Sequence, residues 1–409
     1  MLSATIDISK QSWFQESASQ RVMHALRQGG AEPRFVGGCV RDSLCGRTVH
    51  DIDIATTSLP EITLSLLEGQ GIKAIPTGIE HGTITAVCEG RTFEITTLRS
   101  DVSTDGRRAT VAFSDDWLED AKRRDFTFNA MSVDINGDIY DPFDGVKDLR
   151  LGIVRFVGDA ESRIREDYLR LLRFFRFTAF YGKGSPGRAT LQVCSDLADG
   201  LDGLSGERIS QEMLRLLAAP NPAKWVRLMV RGGILSHLIS DAEDSHALEM
   251  MCAFEDKPDA LRRLAILLPE TPGAVEEVVK RWHLSNKQKD RLMAARANKE
   301  NLIPTQPLEE LRAFLYRYGA ICARDQLFIY WAEKQFSGIG PAEQAVLSTI
   351  DAWEENPVKF PIKGQDLIEQ GAVAGPELGQ QLKQIENWWC EGGCQADKDA
   401  CLSFYATLS

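Results

Sequence analysis

The residues of this chain best equipped for chemistry are Asp51 and Asp53, two carboxylates one residue apart in the run Val49-His50-Asp51-Ile52-Asp53-Ile54. An acidic pair inside an alternating apolar run predicts a β-strand, which turns residues two apart to the same face. Carboxylates held that close repel each other unless a cation lies between them, and an all-oxygen donor pair suits Mg2+. Just upstream, Phe35-Val36-Gly37-Gly38-Cys39-Val40-Arg41-Asp42 offers two glycines whose backbone N–H groups can approach a phosphate closely. Arg41 can add positive charge there. A triphosphate held over two metal ions is the arrangement for phosphoryl or nucleotidyl transfer.

Asp-x-Asp alone is common on protein surfaces, so its company decides the reading. Glu94, in Phe93-Glu94-Ile95, interrupts an apolar strand pattern where an unpaired carboxylate is costly. It is a candidate third acidic group from a neighbouring strand. The run Arg123-Arg124-Asp125-Phe126-Thr127-Phe128-Asn129 follows a helix that opens on Asp115 and Asp116 and closes on Lys122, Arg123 and Arg124, the charge order a helix dipole favours. Arg124, Asp125 and Asn129 bring a guanidinium, a carboxylate and an amide, groups suited to ribose hydroxyls and phosphates.

A third cluster is Glu166-Asp167-Tyr168-Leu169-Arg170-Leu171-Leu172-Arg173-Phe174-Phe175-Arg176-Phe177. On a helix Asp167 and Arg170 are three apart and share a face. Such a pair is either a surface ion pair of little energetic worth or a reader of base edges. Cytosine and adenine present an exocyclic amino donor beside a ring-nitrogen acceptor, whereas uracil and guanine present a carbonyl beside a ring N–H. A carboxylate that only accepts, next to a guanidinium that only donates, fits the first two bases and leaves buried polar groups unpaired with the others. Glu166 adjoins the pair, and Arg173 is a further candidate on the same run, one that could orient the pair or contact phosphate. Residues 99–110 are polar, contain Gly106 and lack periodicity, so they read as a loop. It starts at Arg99, and its Arg107 and Arg108 are available to a nucleotide or an RNA end.

These groups need a frame to hold them. Over the first 150 residues, strand-like runs at 34–37, 52–55, 82–88, 92–98, 132–135 and 138–140 interleave with helical runs at 20–28, 40–44, 59–68 and 115–123. That pattern predicts a small α/β or α+β head. From Arg163 onward the periodicity is helical, with breaks marked by Pro220/Pro222, Pro269/Pro272, Pro304/Pro307 and Pro357/Pro361 and no fixed-period repeat. With 409 residues, 43% of them apolar and 26% charged, the chain has ample material for several soluble domains. It contains no run of 18 apolar residues, which argues against a membrane span. Its first residues, with Asp7 and Glu16, signal neither secretion nor import. Nine irregularly spaced cysteines favour reduced thiols in the cytoplasm, and Cys390-x3-Cys394, without a matching pair or nearby His, reads as two incidental thiols. A net charge of −12 with a pI near 5.2 is unlike a typical nucleic-acid binder. The charge is uneven, however: residues 147–188 hold ten Lys/Arg against five Asp/Glu, and residues 351–409 hold four against ten.

Taken together, these motifs resemble the class II tRNA nucleotidyltransferase family, the CCA-adding enzymes, closely related to bacterial poly(A) polymerases. Gly37-Gly38-Cys39-Val40-Arg41-Asp42 with Asp51-Ile52-Asp53 resembles the family's metal motif. Arg123 to Asn129 resembles its ribose motif and Glu166-Asp167-Tyr168-Leu169-Arg170 its base-selecting motif. Tyr140-Asp141-Pro142-Phe143-Asp144-Gly145 and Arg155-Phe156-Val157-Gly158 resemble the head-to-neck junction, and Glu207-Arg208-Ile209-Ser210-Gln211-Glu212 a helix end that buttresses the neck. The similarity runs from about residue 34 to 215 and returns at 362–389, around Gly375-Pro376-Glu377-Leu378-Gly379.

The resemblance implies an α+β fold: a polymerase-β-like head with a mixed or antiparallel sheet (1–150), a helical neck that selects the base (151–215), a helical body (216–300) and a helical, tRNA-binding tail (301–409). It implies two Mg2+ ions on Asp51 and Asp53, Glu94 beside the attacking hydroxyl, and phosphate contacts from Gly37, Gly38 and Arg41. Arg124, Asp125 and Asn129 would hold sugar and triphosphate, and Asp167 and Arg170 the base. The 99–110 segment would take part in the change from adding C to adding A. The expected partners are the tRNA 3′ end, CTP and ATP, with no membrane and no obligate protein partner. Two departures refine this. With six histidines and no His-Asp dipeptide after His50-Asp51, the chain lacks the pair on which many relatives build a phosphohydrolase domain. Its acidic C-terminal region is also unlike the basic tail of poly(A) polymerases. Enzymes adding only CC or only A, a poly(A) polymerase and a catalytically silent RNA-binding protein remain alternatives on the sequence alone.

Overall fold

The structure is a computed structural model that describes residues 7–105, 108–242, 246–297, 307–334 and 338–408. The chain forms two compact units, Met1–Leu216 with Arg231–His237 and Leu217–Val230 with Leu238–Ser409.

In the first unit, β1 (Arg34–Val36), β2 (Ile52–Thr56), β3 (Lys73–Gly78), β4 (Thr83–Cys88), β5 (Arg91–Thr97), β8 (Ser132–Val133) and β9 (Ile139–Tyr140) make a seven-stranded sheet in the order β3-β4-β5-β2-β1-β8-β9. Only β2 and β5 run parallel; the other neighbours are antiparallel. Alternation sorts the faces. Phe35, Ile52, Ile54, Phe93 and Ile95 are buried on one side, where helices α1 (Ser12–Gln15), α2 (Ser17–Arg27), α3 (Gly38–Leu44) and α4 (Pro60–Gly69) supply partners. Trp13 and Phe14 meet the Phe35 ring at 5.0 and 5.4 Å. The opposite face carries Asp53 and Glu94.

Two features differ from the sequence expectation. β3 is an additional strand: it lies at the sheet edge with no fully buried residue, and it contains Pro76 and a register shift between Ile75 and Gly78. Edge position is what permits a proline and removes the apolar alternation that marks an interior strand. Residues 99–110 are not an irregular loop either. β6 (Arg99–Asp105) and β7 (Arg108–Phe113) form a separate two-stranded antiparallel ribbon, pairing Arg99 with Phe113 and Asp105 with Arg108. The glycine-containing sequence Asp105-Gly106-Arg107-Arg108 is a hairpin signal that the loop reading did not use. Arg107 lies outside the described residues, and Arg108 is placed only as the first residue of β7.

After the ribbon come α5 (Trp117–Lys122), α6 (Gly145–Leu151), α7 (Ala160–Glu166), α8 (Leu169–Tyr181), α9 (Arg188–Asp196) and α10 (Gly206–Leu217). A phenylalanine cluster ties them together. The Phe126 ring lies 4.9 Å from Phe156, 5.3 Å from Phe177 and 6.5 Å from Phe174. The segment 123–129 is thereby seated on α8.

The second unit is helical throughout its described residues, from α11 (Ala223–Arg231) through α12 (His246–Phe254), α13 (Ala260–Ala265), α14 (Ala274–Trp282), α15 (Asn286–Arg296), α16 (Leu308–Glu333), α17 (Pro341–Glu355), α18 (Gly364–Glu369) and α19 (Pro376–Glu391) to α20 (Lys398–Tyr405). Its interior holds an ionic network: Arg262 and Arg263 bind Glu255 at 2.9 and 2.7 Å, and Asp325 accepts from Arg262 and Arg291. Cys390 and Cys394 are buried free thiols. No described helix is long and apolar enough to cross a membrane.

Candidate active site

Sheet register assembles the acidic group. In the parallel β2/β5 pair Asp53 is directly beside Glu94, and in the antiparallel β1/β2 pair it is beside Val36, the last residue before Gly37. Asp51 precedes β2 and is exposed, as is Glu94. Glu94 therefore projects from the open face, away from its core-facing neighbours Phe93 and Ile95, and its burial is not the reason for its importance. Asp53 is half-buried, and its carboxyl is pushed up to about 6. Burial is the main cause, followed by the charge of Glu94, with Asp51 adding to it and Arg124 and Arg41 opposing it. An excess of negative charge on oxygen ligands is the field a hard divalent cation relieves. Among the described residues no three His, Cys, Asp or Glu side chains converge as a ready-made ligand set. The fit to Mg2+ thus rests on donor chemistry and on the raised Asp53.

Gly37 adopts φ 69°, ψ −122°, a conformation that demands glycine. A Cβ there would lie 3.6 Å from Asp53 Oδ2 and 3.9 Å from Arg124 Nη1. The bare Gly37 backbone therefore faces a space with the carboxylate on one side and a guanidinium on the other. Arg124 spends Nε and Nη2 on Asp120, at 3.2 and 3.1 Å, which leaves Nη1 directed toward Gly37. Asp120 also binds Arg123 Nε at 2.8 Å. Although burial opposes it, these two arginines hold the Asp120 carboxyl below its usual range. A cavity of about 440 Å3 borders Arg124, and in its wall Arg34 lies between the rings of Trp117 and Tyr140 at 4.1 and 3.7 Å. Neither Asp53 nor Asp167 lines it, so it is a neighbouring hollow.

Other expected contacts are redistributed. Arg41 donates Nε and Nη2 to Asp42, both at 3.0 Å, and Nη1 to Asn129 Oδ1 at 2.8 Å, while stacking near Phe177 and Tyr181. It is committed to protein groups. Asp125 is buried; it accepts from the Phe126 N–H at 2.8 Å and Asn129 Nδ2 at 2.9 Å on Oδ1, and from Arg173 on Oδ2 at 2.7 and 2.6 Å. Burial opposes ionisation, but the Arg173 charge and these hydrogen bonds hold the Asp125 carboxyl low. Arg173 also reaches Glu212, which pairs with Arg176. Arg173 is therefore ion-paired to the 123–129 segment and to Glu212.

Asp167 and Arg170 do not share one helix. Asp167, with φ −158°, stands between α7 and α8, and its Oδ1 accepts the Leu169 N–H at 3.1 Å. Its Oδ2 accepts from Arg208 Nη2 at 2.7 Å. Arg170 Nη1 donates to Glu166 at 2.5 Å and to the Arg163 carbonyl at 2.9 Å. The two base-reading candidates are thus neighbours, each braced by a separate partner. Arg99 donates Nη1 to the His81 carbonyl at 3.1 Å.

Four partners of the candidate residues had no site role in the sequence reading: Asp120, Arg163, Arg208 and Glu212. Asp120 was within reach, since its i,i+3 and i,i+4 spacing to Arg123 and Arg124 marks an ion-pair face. Arg208 and Glu212 belong to a recognisable motif, but their partners lie 41 and 36–39 residues away. Nothing in the sequence distinguished Arg163.

Comparison with known proteins identifies the family. Residues 33–155 match the "Poly A polymerase head domain" model, 187–245 the "Probable RNA and SrmB- binding site of polymerase A" model, and 253–405 a model of tRNA nucleotidyltransferase domain 2. The chain is 35% identical to a mouse protein named CCA tRNA nucleotidyltransferase 1, mitochondrial, over 91% of this chain and 86% of that protein. It is 33% identical to a CCA-adding enzyme of Streptococcus sanguinis, over 96% and 97% of the two chains. Its fold matches the Bacillus stearothermophilus CCA-adding enzyme, solved in complex with CTP, with a TM-score of 0.78, 30% identity and coverage of 97% and 98%. The Thermotoga maritima CCA-adding enzyme, solved with tRNA, shares the fold at a TM-score of 0.67 and 21% identity, over 95% and 94% of the two chains. On the strength of these matches, this chain belongs to the class II tRNA nucleotidyltransferases, on their CCA-adding branch.

Proposed function

We propose that this enzyme adds C, C and A in sequence to the 3′ end of tRNA, without a template, from CTP and ATP. The observation that carries the reading is the register that sets Asp53 beside Glu94 while the Gly37 backbone and Arg124 Nη1 face the same carboxylate. In each step the RNA 3′ hydroxyl attacks the α-phosphorus, a P–O bond forms, the α–β phosphoanhydride breaks, and pyrophosphate leaves.

Asp51 and Asp53 would hold two Mg2+ ions, which when bound supply activation of the hydroxyl and neutralisation of charge on the triphosphate. Glu94, beside Asp53 in the sheet, would complete the site on the hydroxyl side. Gly37 and Gly38 let the phosphates approach the backbone, and Arg124 Nη1 offers them a charged donor. Asp125 has its roughly four acceptor positions filled, so its part is to hold Asn129, whose remaining N–H and lone pair suit a ribose hydroxyl. Arg41 and Arg173 position the same segment. Asp167 accepts and Arg170 donates at the base edge, which fits cytosine and adenine. The 1–150, 151–215, 216–300 and 301–409 division into head, neck, body and tail, the tail as RNA holder and the β6/β7 ribbon as the element serving the change from C to A belong to this reading. The cysteines are free thiols, as suits a reducing compartment, and the cytoplasm is the proposed location.

The test is incorporation of labelled CMP into tRNA lacking its 3′ CCA by the wild type and by an Asp51→Ala, Asp53→Ala double variant. Retained incorporation in the double variant, at matched folding, would refute the metal role of these residues.

A further inference from the structure

Arg163 is more than nine-tenths buried, and it joins the two segments that the proposed function assigns to different parts of the nucleotide. Its Nη2 donates to the carbonyl of Arg123 and, at 2.9 Å, to that of Arg124; its Nη1 donates to the Glu166 carboxylate. Arg170 closes the same ring from the other side. It donates to Glu166 at 2.5 Å, to the Arg163 carbonyl at 2.9 Å and, more weakly, to the Arg123 carbonyl at 3.4 Å. One carboxylate and one backbone carbonyl are therefore each shared by both guanidiniums. The Arg123 and Arg124 carbonyls belong to the segment that leads to Asn129, and Glu166 immediately precedes Asp167.

We infer that Arg163 is a positioning residue that locks the sugar-and-phosphate-reading segment and the base-reading segment into one rigid unit, so that discrimination against deoxyribose and discrimination against uracil depend on the same clamp. The chemistry favours an arginine. Its planar fork can span two carbonyls and a carboxylate at once, which a lysine ammonium on a flexible stem cannot do with fixed geometry. A purely structural role, capping the carbonyls that follow α5, is the competing explanation. It predicts lower stability with both selectivities preserved.

This inference rests on the proposed function, and the experiment separates the two. Relative kcat/KM for CTP, dCTP and UTP is measured on tRNA lacking CCA for the wild type and for Arg163→Lys, Glu166→Gln, Gly200→Ala and Asp167→Ala. Asp167→Ala tests the underlying reading: if its UTP/CTP ratio stays at the wild-type value, the base assignment itself fails. Given that control, Arg163→Lys is expected to raise both the dCTP/CTP and the UTP/CTP ratio about tenfold. Glu166→Gln, whose neutral acceptor weakens the shared hydrogen bonds but keeps a partly exposed side chain in place, is expected to raise both by a smaller factor.

Gly200→Ala provides the contrast. A Cβ at Gly200 would meet the ring of Tyr168, the residue that follows Asp167, at 1.9 Å. It is expected to move the UTP/CTP ratio alone. A change in only one ratio, or in neither, for folded Arg163→Lys overturns the inference. Should that variant fail to fold, Glu166→Gln decides in the same way.

Discussion

At the scale of single residues, the Asp53 carboxylate is disfavoured by its surroundings, a charge that a proton or a bound cation relieves. Its carboxyl is raised to about 6 by burial, Glu94 and Asp51. A raised acid binds protons more tightly in the folded state than in the unfolded one. The unfavourable contribution of Asp53 to the metal-free fold is therefore absent below the unfolded value near 4 and grows as pH rises through 6. Asp53→Asn should abolish incorporation yet raise the metal-free protein's stability at pH 7, by about 1–3 kcal/mol. Urea unfolding in EDTA at pH 4 and pH 7 checks this: the gain should shrink at the lower pH, and equal gains at both would contradict the assigned cause. Asp167→Ala should leave CTP usable but raise UTP use at least severalfold, read as a ratio of kcat/KM values. The acidic residues were legible because alternation in β2 and β5 states which way each side chain points. Their partners were not. Arg173 meets Asp125 across 48 residues and Arg208 meets Asp167 across 41, and local spacing carries no information about such encounters.

At the scale of elements, the nucleotide-reading segments are positioned by packing on α8. Phe174 is fully buried and lies 5.6 Å from Phe156 and 6.5 Å from Phe126. Phe174→Ala should cost about 3–5 kcal/mol through the cavity it leaves. It should raise KM for CTP before kcat falls, measured by denaturant titration and steady-state incorporation. In the second unit, Arg263 and Glu255 form an ion pair with side chains only 1% and 0% exposed. Arg263→Met should cost about 3–5 kcal/mol in denaturant unfolding, because Glu255 keeps only Arg262 and the buried Leu217 and Ala219 carbonyls lose their donor. Most elements of the head were readable from periodicity and glycine punctuation. The exceptions follow from physics. β3 is an edge strand without a buried face, and the β6/β7 ribbon is polar enough to hide its alternation. The Asp167–Arg170 segment looked like continuous helix because nothing in its composition announces the break at Asp167.

At the scale of the whole molecule, we propose that an acidic chain meets a polyanion through locally concentrated positive charge. The net charge is −12, yet residues 147–188 carry ten basic against five acidic side chains. Affinity for tRNA should therefore fall linearly on a log–log plot against salt, with a slope reporting the handful of phosphates engaged. A salt-independent affinity would rule out that basic stretch as the RNA contact. Proline-marked breaks made the helical remainder of the chain predictable as a class, whereas its internal ionic network and helix pairing depend on long-range partners that composition does not specify. The central claim, ordered addition of three nucleotides at one carboxylate site, meets its most direct test in a single reaction. Wild-type enzyme and Asp53→Asn are incubated with tRNA lacking its 3′ CCA, CTP, ATP and Mg2+, and the products are read at nucleotide resolution. The account predicts extension by C, C and A and then arrest, with no product from the variant. Extension by A alone in a long run, arrest after CC, or undiminished extension by Asp53→Asn would contradict it.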